Sequence, residues 1–231
     1  MKTVLIHGQS HKGSTYTIAH KLAEKLGGEL TEFFLPRDFE KFCVGCARCF
    51  NESEKLCPHY EAIRPITDAI DAADVIILAS PVYVYHATGA MKVLLDHYGY
   101  RWMVHSPEGS MFRKQGVCIT TAAGAGMRSA CKDMCDSLFF WGVAKIYKYG
   151  IAVAAGDWDH VSEKKKQAVE KKTDQLANVI KSRVGRVKPG LKTRALFFAM
   201  HLMQRNGFNP RDVKHWQENG WTRNVRPWNQ V

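Results

Sequence analysis

Gly8-Gln9-Ser10-His11-Lys12-Gly13-Ser14-Thr15 follows the apolar run 3–6 directly and leads straight into Tyr16-Thr17-Ile18-Ala19. A strand that ends in glycines and hydroxyls, then turns at once into a helix, aims free backbone N–H groups and the positive end of the helix dipole at one point. Such a turn suits an anion. The first acidic residue of the chain is Glu24, so no carboxylate in the turn repels a phosphate. His11 and Lys12 attract one, and Ser10, Ser14 and Thr15 offer hydroxyl donors. Gly8 and Gly13 are spaced as in the G-x-x-x-x-G-K-[ST] loop of triphosphatases, but Ser14 stands where the lysine would be. The next apolar run, 75–79, ends in Ser80 where a magnesium-holding aspartate would be needed. The dinucleotide fingerprint G-x-G-x-x-G is absent from the turn. These departures argue against a triphosphatase and against a tightly held nicotinamide cofactor. They favour a single terminal phosphate, with a ligand-free Ser/Gly-rich helix start as the plainer alternative.

Strand-like apolar runs at 3–6, 30–35, 75–79, 117–121 and 151–154 alternate with helical stretches at 16–26, 66–73, 88–98, 127–141 and 162–182. Near-continuous apolar strands are buried on both faces, so the pattern predicts an α/β fold with a five-stranded parallel sheet between helices. Ligands of such sheets sit beyond the carboxyl ends of the strands, where the strand order reverses. Met127, Cys131, Met134, Leu138 and Trp141 recur at helical spacing and read as core, which makes Cys118, Cys131 and Cys135 buried thiols.

Two further post-strand loops carry matching chemistry. Ser80-Pro81-Val82-Tyr83-Val84-Tyr85-His86 offers aromatic faces on a stiffened turn. Thr120-Thr121-Ala122-Ala123-Gly124-Ala125-Gly126 lets backbone N–H groups approach a flat heterocycle closely. With these loops behind the phosphate turn, residues 1 to about 182 resemble the flavodoxin-like NAD(P)H-dependent FMN reductases, including their iron-sulfur flavoprotein branch. The resemblance implies a doubly wound sheet of order 2-1-3-4-5. It also implies that Ser10, His11, Ser14, Thr15 and Tyr16 hold the FMN phosphate, that Pro81, Val82, Tyr83, Val84 and Tyr85 line the flavin ring, and that Thr121, Ala122, Ala123, Gly124 and Gly126 flank its other edge. Two departures stand out: the phosphate loop is one residue shorter than the family's usual S-P-R-x-x-G-N-T, and His11-Lys12 replaces its arginine.

Four of the seven cysteines, Cys43, Cys46, Cys49 and Cys57, fall in one loop after the second strand. Clustering of this kind, in a chain whose first residues enter a strand at once, points to metal or redox chemistry rather than structural disulfides. The C-x2-C-x2-C spacing and the Cys57-Pro58 pair are those of bacterial ferredoxins, but the last arm has seven residues instead of three. That longer arm resembles the iron-sulfur flavoprotein motif, which implies a four-iron four-sulfur cluster. A structural four-cysteine zinc site and reduced free thiols remain open. His59 reads as an exposed loop histidine.

The net charge of +11 lies wholly in residues 160–231, which hold 16 Lys and Arg against 5 Asp and Glu. The same end carries Phe197, Phe198, Trp216, Trp221 and Trp228. The division expected is a domain over 1–182 and a basic, aromatic-rich arm over 183–231 that packs across a partner subunit in a homodimer or homotetramer. No nucleic-acid motif accompanies the charge, so nucleic acid is not an expected partner. No run is long enough to span a bilayer, and a cytoplasmic location is expected. Residues 98–115 have the composition of a long loop over the flavin ring. The function expected is electron transfer from NADH or NADPH through FMN to a small-molecule or protein acceptor, with the flavin supplying the chemistry. The alternative is a cluster-bearing electron-transfer protein.

Overall fold

Val4-Leu5-Ile6 and Val75-Ile76-Ile77-Leu78 are wholly buried, because each strand packs helices against both of its faces. Side chains alternate between the two layers with the two-residue period of a strand. Val4, Ile6, Ile76 and Leu78 meet Ile66, Ile70, Leu94 and Met134 on one face. Leu5, Ile77, Val117 and Ile119 meet Ile18, Leu22, Val169 and Ile180 on the other.

The computed structural model describes residues 1–207 and 209–230. In chain order its elements are β1 (Lys2–His7), α1 (Ser14–Leu26), β2 (Glu29–Phe34), α2 (Arg48–Asn51), α3 (Tyr60–Ala72), β3 (Val75–Ala79), α4 (Gly89–Asp96), β4 (Gln115–Ala122), α5 (Met127–Phe140), β5 (Lys145–Ala152), α6 (Glu163–Lys181), α7 (Leu191–Arg205) and α8 (Pro210–Glu218). All five strands are parallel, in the order β2-β1-β3-β4-β5. The expected doubly wound sheet is therefore the observed one. Its order reverses between β1 and β3, which puts the turns after those two strands side by side.

Two elements begin six residues earlier than the sequence predicts. β5 starts at Lys145 rather than 151, since its Lys-Ile-Tyr-Lys-Tyr segment lies at the edge of the sheet with polar side chains outward. A search for continuous apolar runs passes over a strand of that kind. α3 starts at Tyr60 rather than 66 and runs through Pro65. The buried stripe Ile63, Ile66 and Ile70 compensates for the hydrogen bond that proline cannot donate.

The C-terminal segment packs in part against its own chain, so several of the aromatics assigned from sequence to a partner contact are covered within the chain, while Phe198 and Leu202 stay exposed. Phe197 of α7, Trp216 of α8 and Trp221 bury with Met103 and Phe112 in a third core cluster. The contacts are edge-to-face: Phe112 and Phe197 have centroids 5.3 Å apart, and Trp216 and Trp221 5.5 Å. Asp212 of α8 is wholly buried and accepts hydrogen bonds from Ser106 Oγ at 3.0 Å and from His105 Nδ1 at 2.8 Å. Residues 98–113 are thus held between α3 and the C-terminal helices, where Arg101 pairs with Asp71. They do not lie over the cleft described next, contrary to expectation. Among the described residues no helix is long and apolar enough to cross a membrane.

Candidate functional site

Gly8 ends β1 under tight constraint. Its N–H donates to Ala79 O at 2.7 Å, and its carbonyl accepts from Thr88 Oγ1 at 2.5 Å. A Cβ there would lie 2.9 Å from both Ser80 Oγ and Thr88 Oγ1, so the close approach of the β1 and β3 turns needs a glycine. The chain then enters α1 at Gly13, which supplies no side-chain cap, and no acidic residue occupies the first helical turn. The first amides of α1 therefore keep their affinity for an anion. Lys12 Nζ sits 5.0 Å from the centroid of Tyr16 and 5.6 Å from that of Phe34, which parks a positive charge beside the turn. Behind it, His7 is buried against Phe34, bonds Glu32 Oε1 at 2.9 Å, and is held below the ordinary histidine pKa chiefly by burial.

Two side-chain bonds join this turn to the loops opposite. Thr15 Oγ1 and Thr121 Oγ1 are 2.6 Å apart, tying the start of α1 to the end of β4. Tyr83 OH donates to Gln9 Oε1 at 2.6 Å. The resulting cleft, about 230 Å³, is lined by Gln9, His11, 13–15, 81–83, 121–123, and Val153, Ala155 and Gly156. His11, Ser14, Thr15, Pro81, Val82, Tyr83, Thr121, Ala122 and Ala123 of the sequence-derived set are therefore brought together. Ser10, Tyr16, Val84, Tyr85, Gly124 and Gly126 do not line the cleft. Ser10 Oγ donates to Leu35 O at 3.3 Å, and Tyr16 stacks on His20. Val84 and Tyr85 project into solvent at φ 47° and 67°, beyond a bridge in which Tyr83 and His86 exchange backbone bonds. A left-handed valine is strained, and strain of this kind gathers at ligand-binding turns. Gly126, at φ 94°, is where the two loops touch: a Cβ there would lie 2.6 Å from Val82 Cγ1. Sequence reasoning missed Val153, Ala155 and Gly156, which follow β5. Their signal was their place after the fifth strand, and placing that strand over 151–154 obscured it.

The residues present fit a phosphorylated flat ligand. The uncapped start of α1 suits a phosphate, and the loops 81–83 and 121–123 border the cleft beside it.

The cysteine loop builds a second cavity of about 110 Å³. All four clustered cysteines line it, with His59, His97, Tyr98 and Tyr100. Cys43 and Cys46 are exposed, while Cys49 and Cys57 are half-buried. The Cys49 thiol is pushed up to about 11, first by burial and then by the thiols of Cys57, Cys43 and Cys46. A cation or cluster reverses such crowding, because it stabilises thiolates that otherwise repel one another. The donor set thus suits a metal group. His59 is a correction to the sequence reading: it is half-buried, and its Nδ1 lies 3.1 Å from Nε2 of buried His97. His97 in turn bonds Val93 O through Nδ1 at 2.9 Å.

The wall of this cavity depends on distant chain. Phe50 of the loop packs edge-on against His105 at 4.7 Å, and Glu54 pairs with Arg211 of α8 at 2.6 Å. Tyr98 and Tyr100 come from the 98–115 segment. That segment therefore serves the cysteine cavity and not the cleft at α1. The remaining three cysteines, Cys118, Cys131 and Cys135, are buried thiols, as the helical spacing implies.

Comparison with known proteins bears on the family and the fold. The model of the NADPH-dependent FMN reductases matches residues 1–159. An iron-sulfur flavoprotein of Archaeoglobus fulgidus is 27% identical over 163 residues, covering 68% of this chain and 71% of that protein. Among solved structures, the NAD(P)H:quinone oxidoreductase from Methanothermobacter marburgensis has a TM-score of 0.58 at 18% identity, covering 75% of this chain and 95% of its own. An FMN-dependent NADH-azoreductase from Bacillus anthracis, solved with FMN, has a TM-score of 0.55 at 13% identity, covering 77% of this chain and 100% of its own. These structures share the fold; the family match extends from β1 past the last loop of the cleft, and on that ground this chain belongs to the NADPH-dependent FMN reductase family.

Proposed function

We propose that this FMN-dependent NAD(P)H oxidoreductase holds the FMN phosphate at the uncapped start of α1, against Ser14, Thr15 and His11, with the flavin ring between 81–83 and 121–123. Bound FMN supplies the chemistry, accepting a hydride from the nicotinamide and passing electrons on. The chain's own residues do the rest. The α1 amides and the Ser14 and Thr15 hydroxyls bind the phosphate, while Lys12 adds positive charge without entering the first helical turn. Pro81 and Tyr83 orient one edge of the ring, and Thr121, Ala122 and Ala123 admit backbone N–H groups to the other. The strained Val84-Tyr85 tip, exposed next to Tyr83, is offered as a contact for the nicotinamide or the acceptor. The acceptor is a small molecule or a protein, and the working form is a homodimer or homotetramer.

The observation that carries this reading is a helix start without cap or acid, tied through Thr15–Thr121 to a neighbouring loop that borders the same cleft. Reconstitution with FMN tests it. The wild-type chain should retain the flavin through gel filtration, and Ser14→Asp should not. A wild-type chain that retains none would sink the reading.

A second reading has its own support, the four thiols on one cavity. In it, Cys43, Cys46, Cys49 and Cys57 carry a four-iron four-sulfur cluster and the protein passes single electrons. Iron and acid-labile sulfide in anaerobically purified protein would support it.

A further inference from the structure

We propose that Cys57, His59 and His97 form a mononuclear site for a borderline divalent cation such as Zn2+, distinct in composition from the four-cysteine set and overlapping it only at Cys57. The three donor atoms all lie within 4.8 Å of one another. His59 and His97 are separated by 38 positions in sequence and meet only because α3 and α4 bring Cys57-Pro58-His59 against the end of α4.

The geometry is that of ligands before the ion arrives. Tetrahedral zinc at its usual distances holds two imidazole nitrogens about 3.3 Å apart, and a nitrogen and a sulfur about 3.6 Å apart. His59 Nδ1 and His97 Nε2 are 3.1 Å apart, within a few tenths of an ångström of the separation a cation between them would impose. His97 is oriented for the task. It is buried, its ring stands edge-on to Phe39 at 4.9 Å, and its Nδ1 donates to Val93 O at 2.9 Å. That bond fixes the tautomer with the Nε2 lone pair toward Cys57 and His59. A ring N–H given to a backbone carbonyl is the arrangement that metal-binding histidines nearly always have. One thiolate and two imidazoles select zinc-like ions over magnesium or calcium, which demand oxygen. Binding shifts the His59 proton from Nδ1 to Nε2, leaving both imidazoles neutral, and releases the thiol proton of Cys57 to solvent. The fourth position is open to a solvent water.

Sharing Cys57 makes this site and a cluster mutually exclusive on one chain, yet the two are separable by experiment. Cys43 and Cys46 belong to the cluster reading alone, and His59 and His97 to this site alone. The test uses the full-length reduced chain, freed of metal, titrated anaerobically with Co2+ and then with Zn2+. One equivalent of Co2+ should give tetrahedral d–d bands with a thiolate charge-transfer band, both lost on adding Zn2+. Cys57→Ser should remove the charge-transfer band. His59→Ala and His97→Ala should each weaken binding at least about tenfold. Cys43→Ser should leave the Co2+ affinity and the thiolate charge-transfer band of this site as in the wild type. Because His97 is buried, far-ultraviolet circular dichroism accompanies each variant, and half-buried His59 carries the argument if His97→Ala unfolds. Cobalt affinity unchanged in His59→Ala, or lost in Cys43→Ser, overturns the proposal. Iron and sulfide content, which Cys46→Ser should abolish, reports separately on the cluster.

Discussion

The phosphate turn and the cysteine loop are both post-strand loops at the same edge of one sheet, yet they are built by opposite means. Eight consecutive residues make the first: β1 delivers the chain, Gly8 and Gly13 shape it, and α1 supplies the amides. Distant pieces hold the second in place, with Tyr98 and Tyr100 on its wall, His97 beside Cys57, and Arg211 of α8 paired to Glu54. A site made from one strand–helix junction is specified by local geometry. A site made from a loop against far segments exists only once those segments have packed.

Substitutions should divide along that line. The largest effect belongs to Ser14→Asp, which puts a carboxylate at the helix start. FMN retention, read from the flavin spectrum after gel filtration, should fall below detection while any metal content of the cysteine loop stays at the wild-type level. Retention equal to wild type would move the phosphate elsewhere. Cys46→Ser is the reciprocal case: if the loop carries a cluster, iron and sulfide should disappear while FMN stays bound. Parallel loss of FMN would show that the two sites are not independent.

Trp216→Ala probes the remote support. Trp216 is wholly buried, and its Nε1 donates to His105 O at 2.7 Å, beside the ring on which Phe50 rests. Losing it should cost about 3–5 kcal/mol in chemical denaturation and reduce metal content of the cysteine loop, with FMN affinity in the surviving fold unchanged. A variant as stable as wild type would mean that the C-terminal helices are not integral to this core.

Acid should act on both regions through buried His7 and half-buried His215. Burial lowers the pKa of His7 behind the phosphate turn and of His215 on α8 below the ordinary 6.5. Each is held neutral when folded and takes a proton more readily when unfolded. Their contribution to stability is thus complete above about pH 6.5 and is lost as pH falls from there through the lower folded values. The denaturation midpoint should drop between pH 7.5 and 5.5, and His215→Asn should flatten that slope; a midpoint independent of pH would count against it. The smallest effect is expected of Tyr83→Phe, which deletes the exposed bond to Gln9. FMN affinity, measured by fluorescence quenching, should weaken by no more than about tenfold, the equivalent of a bond contributing about 0.5–1.5 kcal/mol. A larger loss would mean that the hydroxyl bonds the flavin itself.

By itself, the sequence determined the sheet and the family, and it singled out the turn into α1 as a candidate anion site. Continuous apolar strands must be covered on both faces, and Gly8 to Thr15 can shape an anion site from its own backbone. The four cysteines announced a metal or redox loop through spacing alone. Tertiary structure decided the rest. The first part of β5, 145–150, escaped notice because an edge strand need not be apolar throughout, and α3 crosses Pro65 because its isoleucine stripe is buried. The aromatic C-terminal segment read as an arm for a partner, but nothing in its composition could show that Met103 and Phe112 offer it a place on its own chain. His97 carried no signal at all. A histidine becomes a candidate ligand only when packing fixes its ring on Val93 O and brings His59 and Cys57 to its other nitrogen, and no local spacing encodes that meeting.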